Sequence, residues 1–256
     1  MKGDRVHASI FMAICAVKGM DIFMNYLFVV AHPDDEVLGA GGTIGKLAYE
    51  GHRVEVCILC GEAGARKNRP ETDKLYQDTI RCNQLLGVKR LFLGSFPNIA
   101  FNRVPHLKLV QFIEEILTVT QAEIIFTHHP GDLNNDHYQT SVACQAAVRL
   151  FQRGSTVPPL KELNFMEVPS STEWGLNTSL RPFTPNLFVE ILEKGVEGKL
   201  RALSQYEGVM REYPHPRSED AIKGLAAYRG CQAGVKYAEA FETVFRRKGN
   251  GYEENI

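Results

Sequence analysis

Residues 26–31 (YLFVVA) form a nearly all-apolar run that lacks the alternation of a half-exposed strand. A strand that reads this way is buried on both faces of a parallel sheet. Parallel neighbours need a crossover connection, usually a helix, and the chain supplies one after each early strand. Residues 37–49 read as a helix closed by Gly51, 53–60 as a second strand, and 71–86 as a helix ending at Gly87. Residues 90–93 read as a third strand, followed by a helix over 105–120 with apolar residues at 107, 109, 110, 112, 113, 116 and 117. A strand over 123–127, a helix over 137–151 and a strand over 162–168 complete the series. This alternation predicts an α/β fold, a Rossmann-like, mostly parallel sheet with helices on both faces.

Beyond Pro169 the pattern changes. A Pro-rich stretch leads to a strand over 187–192, then to helices over 198–210 and 218–245. We read 23–256 as one domain whose last part, about 170–256, forms a C-terminal cap. Residues 1–22 read as an N-terminal extension. Their apolar stretch, 10–17, is flanked by charges and is much shorter than the ~20 residues of a membrane span. No small-residue cleavage site follows it, so neither stable membrane insertion nor secretion is expected, and a cytoplasmic location is.

The charge balance, Lys+Arg 29 against Asp+Glu 30, gives no basic excess to attract nucleic acid or an anionic membrane. A small molecule or glycan is the expected partner; the oligomeric state is open, a homo-oligomer included. The six cysteines lie mostly in apolar runs, as reduced core residues do. Cys57 and Cys60 are three apart in a strand-like run, so they point to opposite faces and are poorly placed to share a metal.

Ligands of open parallel sheets bind outside the carboxyl ends of the strands. Two polar clusters fall there: His32-Pro33-Asp34-Asp35-Glu36 after the first strand, and residues 128–137 (HHPGDLNNDH) after the fourth. Hydrolytic zinc is usually held by three N/O side chains with a fourth position left for water. His32 and Asp35, three apart at a turn into a helix, can aim at one point, and His137 supplies a third ligand from the other loop. Such an ion lowers the pKa of a bound water toward ~7. Asp34, beside a ligand yet able to face the water, suits the general base. Glu36 reads as a helix N-terminal residue favoured by the dipole, and Asp132 as a turn residue, with ligand positioning the lesser alternative. Gly39-Ala40-Gly41-Gly42 does not fit the G-x-G-x-x-G dinucleotide pattern, and these glycines suit close packing of the first helix instead.

Ala31-His32-Pro33-Asp34-Asp35-Glu36, with the glycines just after it, resembles the signature of the PIG-L/LmbE family of zinc-dependent N-deacetylases. Gly87-Val88 and residues 237–241 (YAEAF) extend the resemblance over about 26–245. It implies zinc, or another divalent ion, on His32, Asp35 and His137, with Asp34 as base and Asp136 as a carboxylate orienting a neighbouring histidine. The family's catalytic histidine falls on Asn134, which can donate a hydrogen bond to an oxyanion but cannot carry a proton to the leaving amine. His215, in the Pro-flanked loop 213–218, is a candidate for that acid, with His128 and His129 as rivals. Arg66, His128 and Arg217 are candidate substrate contacts. The implied activity is removal of acetyl from an N-acetylglucosamine-type sugar, free or carried on a nucleotide, lipid or glycan. The alternatives are a zinc amidase for another amide, such as a thiol conjugate, and a non-catalytic Rossmann-like ligand-binding protein. Specificity is expected in loops 62–72, 96–106 and 170–186.

Overall fold

The computed structural model describes residues 23–61, 71–154, 156–178 and 181–248; the expected extension over 1–22 lies outside them. β1 (Asn25–Val30), β2 (Arg53–Ile58), β3 (Arg90–Leu93), β4 (Ile124–His128) and β5 (Glu162–Met166) are parallel neighbours in the order β3-β2-β1-β4-β5. β7 (Ala238–Arg246) then runs antiparallel between β5 and the outermost strand, β6 (Leu187–Glu190). The helices are α1 (Asp35–Tyr49), α2 (Thr72–Leu85), α3 (His106–Thr120), α4 (Asn135–Ala147), α5 (Leu192–Leu203) and α6 (Glu219–Ala233). The α/β, mostly parallel sheet is as the apolar pattern implied. No described helix is long and apolar enough to cross a membrane.

β1 is buried on both faces, and its alternation divides the core. Phe28 and Val30 join Val37, Ile44, Val56 and Leu75 on one side. Leu27, Val29 and Ala31 join Leu109, Ile113, Cys144 and Phe165 on the other. The chain leaves β1 toward β2 and β3, then returns to place β4 on β1's other edge. Strand order therefore reverses at the β1–β4 pair, and a crevice opens beyond their carboxyl ends. Both polar clusters of the sequence emerge there.

The C-terminal part departs from the sequence expectation. The helix expected over 218–245 ends at Ala233, where Gly234 takes φ 75° and caps α6 in the left-handed conformation. The chain then enters β7, whose inner residues 238–241 are buried. The final helix-strand unit thus completes the sheet and lies beside α1.

α1 is broken at Ala40 (φ −147°, ψ 16°), which frees backbone N–H groups in its interior. Glu239 of β7 receives them: Oε1 accepts from Gly42 N at 3.0 Å and Oε2 from Thr43 N at 2.7 Å. Lys199 Nζ, also buried, donates to Oε1 at 2.7 Å. The glycines of α1 also permit close packing against other neighbours. A Cβ on Gly39 would lie 2.6 Å from Met166 Sδ, and one on Gly42 2.7 Å from Ile191 Cδ1. Glu239→Ala leaves Lys199 as an uncompensated buried charge, which we expect to cost about 3–5 kcal/mol of unfolding free energy. Lys199→Met leaves Glu239 its two N–H donors and should cost less. Urea denaturation of both variants checks the order, and equal or reversed losses would remove the capping role.

Candidate active site

The turn after β1 is shaped by Asp34, a non-glycine residue at φ 99°. Its N–H is taken by Glu36 Oε2 at 3.0 Å, and its carbonyl accepts from Val37 N and Leu38 N to start α1. Glu36 is fully buried and is itself held by Tyr206 OH at 2.6 Å and Asn83 Nδ2 at 3.0 Å, both to Oε1. Burial lifts the Glu36 carboxyl to about 7. A residue that reads in sequence as a helix N-terminal acid is therefore also the post on which the strained turn rests.

This turn brings His32 and Asp35 together. His32 Nδ1 lies 3.3 Å from Asp35 Oδ2. The second loop delivers His137 on the first turn of α4, with Nε2 3.2 Å from the same oxygen. One ligand atom from each of His32, Asp35 and His137 falls within 4.8 Å of the others, and all three residues are buried. The far side of each imidazole meets a carboxylate. Asp136 Oδ2 lies 3.1 Å from His32 Nε2, and Asp132 Oδ2 lies 3.1 Å from His137 Nδ1. With an ion on the cluster, these contacts would take one ring N–H of each histidine and leave the other nitrogen's lone pair for the ion, the arrangement usual for metal-ligating imidazoles.

The carboxylates are anchored in turn. Asp136 Oδ1 accepts from Phe101 N at 2.9 Å. Asp132 accepts from Thr172 Oγ1 at 2.7 Å, from Asn134 N at 2.8 Å and from Ser171 Oγ. The electrostatics reflect this packing. Burial would depress His137, but Asp35 and Asp132 prevail and raise it to about 10. Burial opposes protonation of His32 too, and Asp136 and Asp35 overcome it, so its pKa is raised. Burial would raise the Asp35 carboxyl, yet His137 and His32 hold it well below the usual range. Three buried carboxylates around two imidazoles call for positive charge at their centre. A divalent ion on this N/O/N donor set supplies it, so the residues fit such a group.

A cavity of about 230 Å³ opens over the cluster, lined by His32, Asp34, Asp35, His137 and Asn134 together with Asn98, Ile99, Gly208, Arg211 and Arg217. Arg217 Nη1 donates to Asp34 Oδ2 at 3.1 Å, and its Nε donates to Ser170 Oγ at 2.7 Å. Asn134 caps α4 by accepting from Asp136 N at 2.9 Å through Oδ1. Its Nδ2 amide is then the group it has to offer the cavity.

Other candidate residues are not brought to the cavity. His128 is fully buried, stacks on His137 at 4.0 Å between ring centroids, and accepts from Ala31 N at 2.8 Å. Burial, reinforced by His137, pushes it down to about 3, so it is a neutral support beneath a ligand rather than a substrate contact. His129 is buried away from the cavity, with Nε2 3.2 Å from Glu242 Oε2 and Nδ1 accepting from Gly131 N at 3.0 Å. His215 is exposed, does not line the cavity, and spends Nδ1 on Arg217 N at 3.0 Å. Arg66 lies outside the described residues.

Sequence reasoning underweights one contributor and misses another. Asp132 reads first as a turn residue after Pro-Gly and only second as a residue that positions a ligand, and its side chain lies behind His137. The loop between α5 and α6 supplies Gly208 and Arg211. Of the loops expected to set specificity, 96–106 reaches the cavity through Asn98 and Ile99.

Residues 27–148 match the family described as PIG-L: GlcNAc-PI de-N-acetylase. The chain is 26% identical over 234 residues to diacetylchitobiose deacetylase of Thermococcus kodakarensis, covering 85% of this chain and 82% of that relative. Its fold is similar to that of N,N'-diacetylchitobiose deacetylase from Pyrococcus horikoshii, with a TM-score of 0.68 at 20% identity over 86% of this chain and 83% of that one. It is also similar to that of 4-carboxy-2-hydroxymuconate hydratase from Pseudomonas putida KT2440, with a TM-score of 0.70 at 20% identity over 90% and 100% of the two chains. One architecture thus carries a deacetylase and a hydratase, and the reaction must be argued from the site.

The donor set has two measurable consequences. Because Asp35 and Asp132 favour the protonated form of His137, binding of zinc(II) should release protons, and affinity should rise with pH and fall in acid. Titration calorimetry in buffers of different ionisation enthalpy measures this; pH-independent affinity would contradict the assignment. Asp132→Ala should weaken zinc(II) binding by roughly 10- to 100-fold with the fold retained, because His137 loses its outer partner.

Proposed function

We propose, from the premise that residues 27–148 form a PIG-L family domain, that the protein is a zinc-dependent N-deacetylase acting on an N-acetylglucosamine-type amino sugar. The observation that carries this reading is the convergence of His32, Asp35 and His137, each buttressed from behind, on the floor of a cavity that Asp34 also lines. The relative of similar length, a diacetylchitobiose deacetylase, supports the same chemistry.

His32, Asp35 and His137 would hold the zinc, which when bound acidifies water and polarises the acetyl carbonyl. The chain's own groups do the rest. Asp34 takes the proton of the attacking water on its carboxylate, and Arg217 fixes that carboxylate's orientation through Oδ2. The Nδ2 amide of Asn134 donates a hydrogen bond to the oxygen on which negative charge develops. Protonated Asp34 then returns the proton to the departing nitrogen. Of the histidines, His32 and His137 alone line the cavity among the described residues, and both are committed to the cluster. A single carboxylate therefore serves as base and then as acid, and the acid role for which the sequence suggests His215 passes to Asp34.

Acetate release by the zinc-loaded protein from a panel of N-acetylated amino sugars tests the reading, since a hydratase would consume substrate without liberating acetate. Asp34→Asn should lower kcat by about 10²- to 10⁴-fold while zinc stoichiometry stays at the wild-type value. His215→Ala should keep wild-type kcat. Undiminished turnover by Asp34→Asn, or no acetate from any member of the panel, would defeat the proposal.

A further inference from the structure

The loop between α5 and α6 contributes Gly208, Arg211 and Arg217 to the lining of the cavity. Arg211 N donates to Arg217 O at 3.3 Å, so the loop folds back and sets two arginines side by side at its base. Both line the cavity. Their situations differ. Arg217 is engaged by Asp34 and Ser170. Arg211 is exposed, and its guanidinium has no carboxylate partner among the described residues.

The charges lining the cavity otherwise cancel locally. Asp34 is matched by Arg217, and Asp35 sits within the imidazole cluster. Arg211 is thus the uncompensated charge among the described lining residues. His215, next to these arginines in the same loop, has its pKa lowered first by partial burial and then by Arg217 and Arg211. A guanidinium offers a planar fork that matches the two oxygens of a carboxylate or phosphate.

We propose that Arg211 is a specificity-determining residue, and that the substrate is an N-acetylated amino sugar bearing a carboxylate or phosphate that Arg211 binds. The inference rests on the deacetylase reading for the acetamide end and names the chemistry of the other end. No sequence pattern hints at it, because one arginine in a polar loop carries no motif.

The test uses the zinc-loaded full chain with four substrates: the neutral N,N'-diacetylchitobiose, N-acetylglucosamine 1-phosphate, N-acetylglucosamine 6-phosphate and N-acetylmuramic acid. Wild-type kcat/KM should favour at least one anionic sugar over the neutral one. Arg211→Gln should reduce that preference by roughly 10- to 100-fold. Preference for a sugar phosphate assigns a phosphate ligand; preference for the muramic acid assigns a carboxylate. Calorimetry of glucosamine 6-phosphate, muramic acid and glucosamine binding, with wild type and Arg211→Gln, reads the same preference without turnover. If no acetate is released, the deacetylase reading fails and the binding data alone judge Arg211. Equal or better handling of the neutral sugar, or a preference that Arg211→Gln leaves intact in both measurements, overturns the inference.

Discussion

Burying three carboxylates beside two imidazoles is tolerable only if positive charge lies between them, because an uncompensated buried ion costs several kcal/mol. Asp35 and Asp136 are 1% and 0% exposed, and Asp132 is nearly as deep. Each also binds a separate piece of chain. Asp35 receives His32 N at 2.9 Å, Asp136 holds Phe101 N after β3, and Asp132 gathers Ser171 and Thr172 after β5. One charged cluster therefore ties together the loops after β1, β3, β4 and β5. The same contacts that make the site attractive to a cation set the shape of the cavity above it.

The sheet explains why these loops meet at all. β1 and β4 are adjacent although nearly one hundred residues separate them, with Val29 opposite Thr127. The ends of the two strands are level, so His32 and the loop that starts at His128 open from the same edge. The opposite helix layer then stiffens the turn. Glu36 links Asp34 to α2 through Asn83 and to the α5–α6 loop through Tyr206. That loop also carries Arg211 and Arg217, so the base and its guanidinium neighbour hang from one buried network.

Whatever depends on local pattern is legible in the sequence. The all-apolar β1, the helix periods and the two acidic histidine loops predict the parallel sheet and the residues that cluster. Whatever depends on contacts distant in sequence is hidden. Glu239 resembles one helical residue among many, because capping α1 from β7 leaves no local signature. β7 itself reads as helix since Gly234, which ends α6, lies inside a run of helix-compatible residues. Asp132 and Asp136 divide their duties in a way that spacing does not reveal. Both lie near His137 in sequence, yet helix geometry points Asp136 at His32 and leaves Asp132 to support His137. His128 is an ambiguous strand-end histidine until its depth under His137 is known.

Under the proposed reaction, Asn134 leaves to another residue a duty that a histidine would perform. A helix N-cap needs a short side chain whose oxygen accepts from the first turn. Asn134 does this for Asp136 N, and its own N–H is held by Asp132. The residue thereby fixes the first turn of α4, on which both His137 and Asp136 sit, but it has no proton to transfer. Under the proposed reaction the shuttle falls to Asp34, which must accept a proton and then donate it without swinging away between the two steps. Asp34 is held at both ends, its backbone N–H by Glu36 and its Oδ2 by Arg217. Such fixed orientation is what lets one group act in two successive steps, since the entropy of placing it has been met by the fold. Under that reaction the left-handed backbone of Asp34, φ 99°, serves the site, since this turn presents Asp34 to the cavity while Asp35, its neighbour, faces the ligand cluster.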